Sequence, residues 1–369
     1  MRILEVCVDL DGGGIDRYLF NYCSRIRDIQ FDFAIIDSGK TGILEKELLD
    51  LGCNIYRVPR QSAGIKANYN ALKKIMTENK YDAVHVHLGY KSLFALLCAK
   101  NCGIKTRIVH AHIAFTPEGF AEKCVRKVFT FFVKRLATQL AACGIDAAKW
   151  LWGKRAYKKG KVTIHNNAIE TKKYAFCEST RVRMRNELGI PDGAVAVGHV
   201  GRLSAQKNQL RLLDIFKRIL ETKPDTLLFL VGRGPDEHAI IEKAEKLGIT
   251  ESVKLLGVRS DVPALLNAFD VFVFPSTHEG LPFTLVETQC NGLYAVSANT
   301  VTEHIKVCEC VEFLSLDATD NIWADKALLL AAKGHFTGGS EATLSAGYDI
   351  DTEAMRLKDY YFDSVKENS

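Results

Sequence analysis

Residues 271–287 read VFVFPSTHEGLPFTLVE. The first four are apolar without alternation, as in a strand buried on both faces. The chain then turns through a polar loop and enters a helix. A strand, loop and helix of this kind is the repeating unit of a parallel sheet covered on both sides. The same rhythm extends outward in both directions. Short β-branched runs at 2–8, 33–37, 54–58, 83–86, 107–110 and 139–143 alternate with helical patterns. A second series, at 195–200, 226–231, 253–256, 271–274 and 294–297, follows the polar stretch 166–180. At 369 residues the chain has the length of two domains of about 150 residues each. The expected fold is α/β, with two doubly wound, Rossmann-like domains facing a central cleft. The expected boundaries are 1–170, 171–350 and a last segment, 351–369, crossing back to the first domain. In such sheets, ligands lie at the carboxyl ends of the strands.

Composition narrows the class. Hydrophobic residues make up 47% and charged residues 25%, ordinary for a soluble globular protein. Glu5, Asp9 and Asp11 interrupt the first apolar run, which excludes a signal peptide's core. No segment has the length and apolarity of a membrane span, so a cytoplasmic protein is expected. Eleven cysteines, without a metal-type Cys-x-x-Cys pair, read as reduced thiols.

Three loops carry chemistry. Gly12-Gly13-Gly14 follows the first strand and lets backbone approach an anion at a helix start. Arg17 stands where a dinucleotide fingerprint needs glycine, so NAD binding is not expected. In the second domain, Arg202 and Lys207 lie five residues apart across a strand-to-helix turn, where two cations can serve one diphosphate without a metal. Read alone, this is equally a solvated helix start. Farther on, Glu279 precedes a helix and Glu287 lies a little over two turns into it. The two carboxylates can meet different parts of an extended ligand, and Gly280, Leu281, Pro282 and Phe283 mark the helix start, where backbone N–H groups bind anions.

Taken in order, Gly201-Arg202-x4-Lys207 and Glu279-Gly280-Leu281-Pro282 through Glu287 resemble the donor site of retaining GT-B glycosyltransferases of family 4, of the capsular and exopolysaccharide type. The likeness spans nearly the whole chain. It includes Gly13-Gly14-Ile15-Asp16, His110-Ala111-His112, residues 164–170, residues 231–235 and the segment around Val258 and Arg259. Asp16, Ala168 and Glu170 depart from the usual Glu, Gly and Asp. The resemblance implies a metal-independent enzyme without a resident cofactor. Its donor would be a nucleotide-sugar, with uridine as the base, and its acceptor a hydroxyl of a glycan or lipid-linked oligosaccharide. It assigns Arg202 and Lys207 to the diphosphate, Glu279 and His112 to the donor sugar and Glu287 to the ribose. Gly13, Gly14 and Gly280 to Phe283 fall near the phosphates, and Val258 and Arg259 beside the base. A nucleotide-sugar epimerase of the same architecture and a non-catalytic nucleotide-sugar sensor are the alternatives.

Two features stand apart. His85-Val86-His87 and His110-Ala111-His112 each put two imidazoles on one strand face. Without an obvious third ligand, His85, His87 and His110 read as packed or hydrogen-bonded, and no metal site is expected. Between residues 121 and 161, eleven Lys or Arg face only Glu122 and Asp146, in a chain whose net charge is +5. Phe129, Phe131, Phe132, Trp150 and Trp152 lie among them. Aromatics beside cations suit an anionic bilayer surface, placing the protein peripherally on the inner face of the cell membrane. A core helix with a charged outer face fits the same pattern. A nucleic-acid site is not expected, since no nucleic-acid-binding module is recognised.

Overall fold

A computed structural model describes residues 1–113 and 119–368. The chain divides into two compact units, Met1–Ala168 with Ile350–Ser369, and Ile169–Asp349.

The first unit holds a seven-stranded sheet of β1 (Arg2–Val6), β2 (Gln30–Ile36), β3 (Asn54–Val58), β4 (Ala83–Val86), β5 (Thr106–Ala111), β6 (Gln139–Ala142) and β7 (Thr163–Ile164). Its spatial order is β3-β2-β1-β4-β5-β6-β7, and every pairing is parallel. The order reverses between β1 and β4, the switch point at which this topology opens a crevice. The final helix, Ile350–Asn368, belongs to this unit and buries Leu357 and Tyr361.

The second unit holds β8 (Val195–Val200), β9 (Thr226–Val231), β10 (Val253–Gly257), β11 (Val271–Phe274), β12 (Ala295–Ala298) and β13 (Val311–Leu314), in the order β10-β9-β8-β11-β12-β13. These pairings are also parallel, and the switch point lies between β8 and β11. Val197, Leu228, Leu230, Val271, Val273 and Val296 build its core with Leu212, Phe216 and Trp323. The loops above β8 and β9 pass very close together. A Cβ at Gly234 would lie 2.0 Å from the Leu203 carbonyl oxygen, so only glycine fits there.

Two strands lie outside the expected series. β7 has two residues, too few to show periodicity. In β13, Glu312 interrupts a half-buried edge strand that lacks the apolar continuity of the central ones. The first strand stops at Val6 rather than at residue 8, and the last helix starts at Ile350.

Candidate active site

In the second unit, two loops at the carboxyl ends of β8 and β11 are stitched together. The Thr277 amide donates to the Gln206 carbonyl at 2.8 Å. Gln206 Nε2 donates to the His278 carbonyl at 2.9 Å, and Asn208 Nδ2 to the Pro275 carbonyl at 3.1 Å. Asn208 adopts φ 60°, the sole positive φ of a non-glycine residue among those described. Asparagine tolerates that conformation better than most side chains. The result brings Lys207 to Glu279, with Nζ to Oε1 at 2.7 Å and both side chains largely buried. Lys207 Nζ also lies 4.8 Å from the centroid of the Phe274 ring. Its stem crosses Gly201, where a Cβ would sit 3.3 Å from Lys207 Cε. Arg202, the next residue, is exposed and makes no ion pair among the described residues.

Glu279 is followed by Gly280 to Pro282 and the helix Phe283–Asn291. The Glu287 carboxylate, buried within that helix, accepts a hydrogen bond from Tyr174 Oη at 2.7 Å. Tyr174 comes from a segment 113 residues away in sequence, so no local motif marks it. Val258 is exposed. The Arg259 guanidinium is held by Asp261 and Glu187 at 2.6 and 3.2 Å. Its pKa is raised, first by the hydrogen bond to Asp261 and then by that to Glu187. The side chain is therefore occupied, and the backbone is the part of this segment available to a base.

In the first unit, the glycine loop caps the helix Gly14–Cys23. The Gly13 amide donates to Asp16 Oδ2 at 2.9 Å. The Gly13 N–H expected for phosphate is thus already committed, and Gly14, exposed with open space around it, is the closer match to that role. Burial, and then the neighbouring Asp9 charge, raise the Asp16 carboxyl to about 7. Asp9 also borders a cavity of about 860 Å³ at the carboxyl ends of β1 and β4, with Arg60, His87, Lys91, His112 and Trp150 on its walls.

Behind that cavity lies a cluster of imidazoles. His87 follows β4 and meets Glu5 Oε2 through Nε2 at 2.7 Å and His112 Nε2 through Nδ1 at 2.8 Å. His85 Nδ1 lies 2.7 Å from Tyr361 Oη, which donates to Glu5 Oε1 at 3.0 Å. His110 is different: neither ring nitrogen has a partner among the described residues, and its ring stacks on those of His85, His87 and His112 at centroid distances of 5.4, 5.5 and 4.2 Å. His85, His87 and His110 can each offer a nitrogen within 4.8 Å of the others. A tetrahedral zinc would need them about 3.3 Å apart, and both His87 nitrogens are already bonded. The group fits a hydrogen-bonded chain better than a metal site. Burial, then the neighbouring His85, lower His87 to about 4. Burial also lowers His165 to about 3 and pushes His110 and His112 well below the usual imidazole range. Glu5 is the signal that could have exposed this network, being a carboxylate in the middle of an apolar strand.

The basic segment divides. In the helix Phe120–Leu136, Phe120 is 86% exposed, and Val125, Val128, Phe131 and Phe132 are exposed beside it. Arg135 lies over the Phe131 ring at 4.1 Å and Arg126 over Trp150 at 4.7 Å. Trp152, expected in the same surface, is instead buried and donates from Nε1 to the Ala141 carbonyl at 2.9 Å. It packs inward because it lies on the side of the short helix Ile145–Trp152 that meets β6.

Residues 180–307 match the family model for glycosyl transferases group 1. Residues 9–143 match that for glycosyl transferase 4-like proteins. Over 376 residues the chain is 28% identical to the putative glycosyltransferase EpsF of Bacillus subtilis, with 100% of this chain and 98% of that protein covered. It is 27% identical to the Escherichia coli UDP-Gal:alpha-D-GlcNAc-diphosphoundecaprenol alpha-1,3-galactosyltransferase, with 95% and 94% covered. Among solved structures, Anabaena HepE in complex with UDP-glucose superposes with a TM-score of 0.81 at 21% identity, covering 98% of this chain and 100% of that one.

Proposed function

The chain belongs to the GT-B glycosyltransferases, and we propose that it transfers the sugar of a UDP-sugar, with retention and without a metal, to a hydroxyl of a lipid-linked glycan. The observation that carries this reading is the Lys207–Glu279 pair, held by the Gln206 and Asn208 bridges beside an uncommitted Arg202. A diphosphate needs concentrated positive charge, and a sugar needs a fixed acceptor for its hydroxyls. The pair offers one of each, and Arg202 supplies further positive charge. Glu279 and His112 hold the sugar, Glu287 the ribose, and the backbone N–H groups of Gly280, Leu281 and Phe283 the phosphates. Gly14 serves the phosphates from the first unit, and the backbone of Val258 and Arg259 meets the uracil.

In the reaction the sugar C1–oxygen bond to the diphosphate breaks, and a C1–oxygen bond to the acceptor forms on the same face. The acceptor's proton passes to the departing diphosphate. Charge growing on that leaving group is stabilised by Arg202 and Lys207, which supply in fixed positions what water would otherwise have to reorganise to give.

Support for a polysaccharide role comes from the E. coli relative, whose acceptor is a diphosphoundecaprenol-linked sugar. A UDP donor is supported by the UDP-glucose bound to the Anabaena neighbour. Among the described residues no helix is long and apolar enough to cross a membrane. Contact with a lipid-linked acceptor would instead be peripheral, through Phe120, Phe131 and Phe132 and the cations around them. The test is a panel of sugar nucleotides scored for thermal stabilisation, then for nucleoside diphosphate release with and without a lipid-linked acceptor. Acceptor-dependent UDP release is expected. Conversion of the donor to an epimer without acceptor would overturn the reading.

A further inference from the structure

We propose that Glu5 and His87 are positioning residues that act through His112, fixing it as a hydrogen-bond acceptor for a sugar hydroxyl in the first unit's cavity. The proposal rests on the glycosyltransferase reading of that cavity but is decided by its own measurement.

Burial would raise the Glu5 carboxyl, but His85 and His87 oppose this and hold it at about 2, so Glu5 is an acceptor only. One oxygen takes the Tyr361 hydroxyl proton at 3.0 Å and the other faces His87 Nε2 at 2.7 Å. Because His85 Nδ1 contacts the same hydroxyl at 2.7 Å and Tyr361 spends its proton on Glu5, His85 is the donor there. The carboxylate is thus held from both sides.

His87 must therefore donate from Nε2. A neutral imidazole has one proton, so His87 Nδ1 is a bare lone pair. The nitrogen it meets at 2.8 Å, His112 Nε2, must then carry the proton. This leaves His112 with an unprotonated Nδ1, directed away from His87. His112 and His87 both line the cavity. Facing His112 are His110, stacked on its ring, and Tyr18 with its ring centroid 5.2 Å away. Neither gives it another hydrogen bond. A group that can only accept selects a partner that donates, and a sugar hydroxyl is the matching class. The charge that sets this choice lies on β1, two imidazoles away from the ligand.

The full chain, labelled with ¹⁵N-histidine, tests this directly. His112 is assigned from the signals lost in His112→Asn. At neutral pH, N–H protons protected from exchange are expected on Nε2 of both His87 and His112. Glu5→Gln replaces the carboxylate with a weaker acceptor of the same shape. It should shift the His87 proton and, through it, the His112 proton, although Glu5 does not touch His112. Glu5→Gln combined with His87→Phe removes the buried charge together with its partner, and should leave the His112 proton open to solvent exchange. Turnover should fall about tenfold, as for loss of one oriented hydrogen bond, with donor binding retained. A His112 signal unchanged by both substitutions overturns the proposal, as does unchanged turnover alongside an altered signal. Lack of transfer by the parent enzyme with every donor would count against the glycosyltransferase reading, while the His112 signal would still decide the relay.

Discussion

The two sheets share a topology and differ in what they bury at the switch point. In the second unit, β11 is Val-Phe-Val-Phe, wholly buried, and β8 offers one polar side chain, His199, satisfied by the Val273 carbonyl and Gln209. Its chemistry sits on loops above an apolar floor. In the first unit, the corresponding strands carry Glu5 and His85, with His110 one strand over, all buried. Polar groups run through the sheet itself to reach the cavity. The same fold can therefore hold its chemistry on the rim, where loops bridge to one another, or thread it through the core, at the cost of an interior that depends on protonation.

The largest expected effect breaks that symmetry with acid. His87, His110 and His165 are buried and His112 is half-buried on the cavity wall; all four are neutral, with pKa values below the ordinary 6.5. The unfolded chain binds protons on them first. Stability is present above pH 6.5 and is lost as pH falls toward the folded values, about 4 for His87 and about 3 for His165. Each such histidine contributes a slope of up to about 1.4 kcal/mol per pH unit. The second unit has two with similar shifts, His199 and His335. Hydrogen exchange followed from pH 7 to 4.5 should show the first unit losing protection before the second.

Next is Arg202→Ala. By analogy with one preorganised donor lost, the barrier should rise by about 3 kcal/mol, roughly a hundredfold in the rate of UDP release. Because Arg202 is exposed and makes no ion pair among the described residues, the melting temperature should not move. Full activity would remove the rim-based account of the second unit.

A smaller effect is expected at Phe131 and Phe132, each about half exposed. Changing both to Ser should weaken sedimentation with anionic liposomes by about 2 kcal/mol, and high salt should weaken it further. Equal sedimentation with neutral vesicles would remove the role of the cations. The smallest belongs to Arg259→Ala. Its partners are partly exposed, so its ion pairs are worth about 1 kcal/mol or less. UDP affinity measured calorimetrically should hold if the backbone meets the base.

Much of this was legible in the sequence where local pattern decides the outcome. Residues 83–86, 195–200, 226–231 and 271–274 are strands as read, because a largely apolar run bounded by loop residues determines them. What was not legible required two distant segments to meet. Lys207 and Glu279 stand out as members of motifs, but their contact depends on Gln206 and Asn208 reaching across 72 and 67 residues. Tyr174 beside Glu287, and Tyr361 beside Glu5, have no local signature. Trp152 reads as a surface aromatic because its neighbours are charged, and only the pairing of its helix with β6 turns it inward. The histidine pairs show that imidazoles share a face, while the register of two strands determines which nitrogen meets which.

The chain leaves the first unit after Ala168 and returns to it at Ile350. Tyr361, which closes over Glu5 and His85, is therefore made last. At about 5–20 residues per second, the first seven strands are made roughly ten to forty seconds before the helix that completes them. During that interval a buried carboxylate and its imidazoles face water without their lid. The second unit, by contrast, is continuous in sequence and can finish while the first is still open. A released chain truncated before residue 350 should therefore hold a folded second unit and an unfinished first.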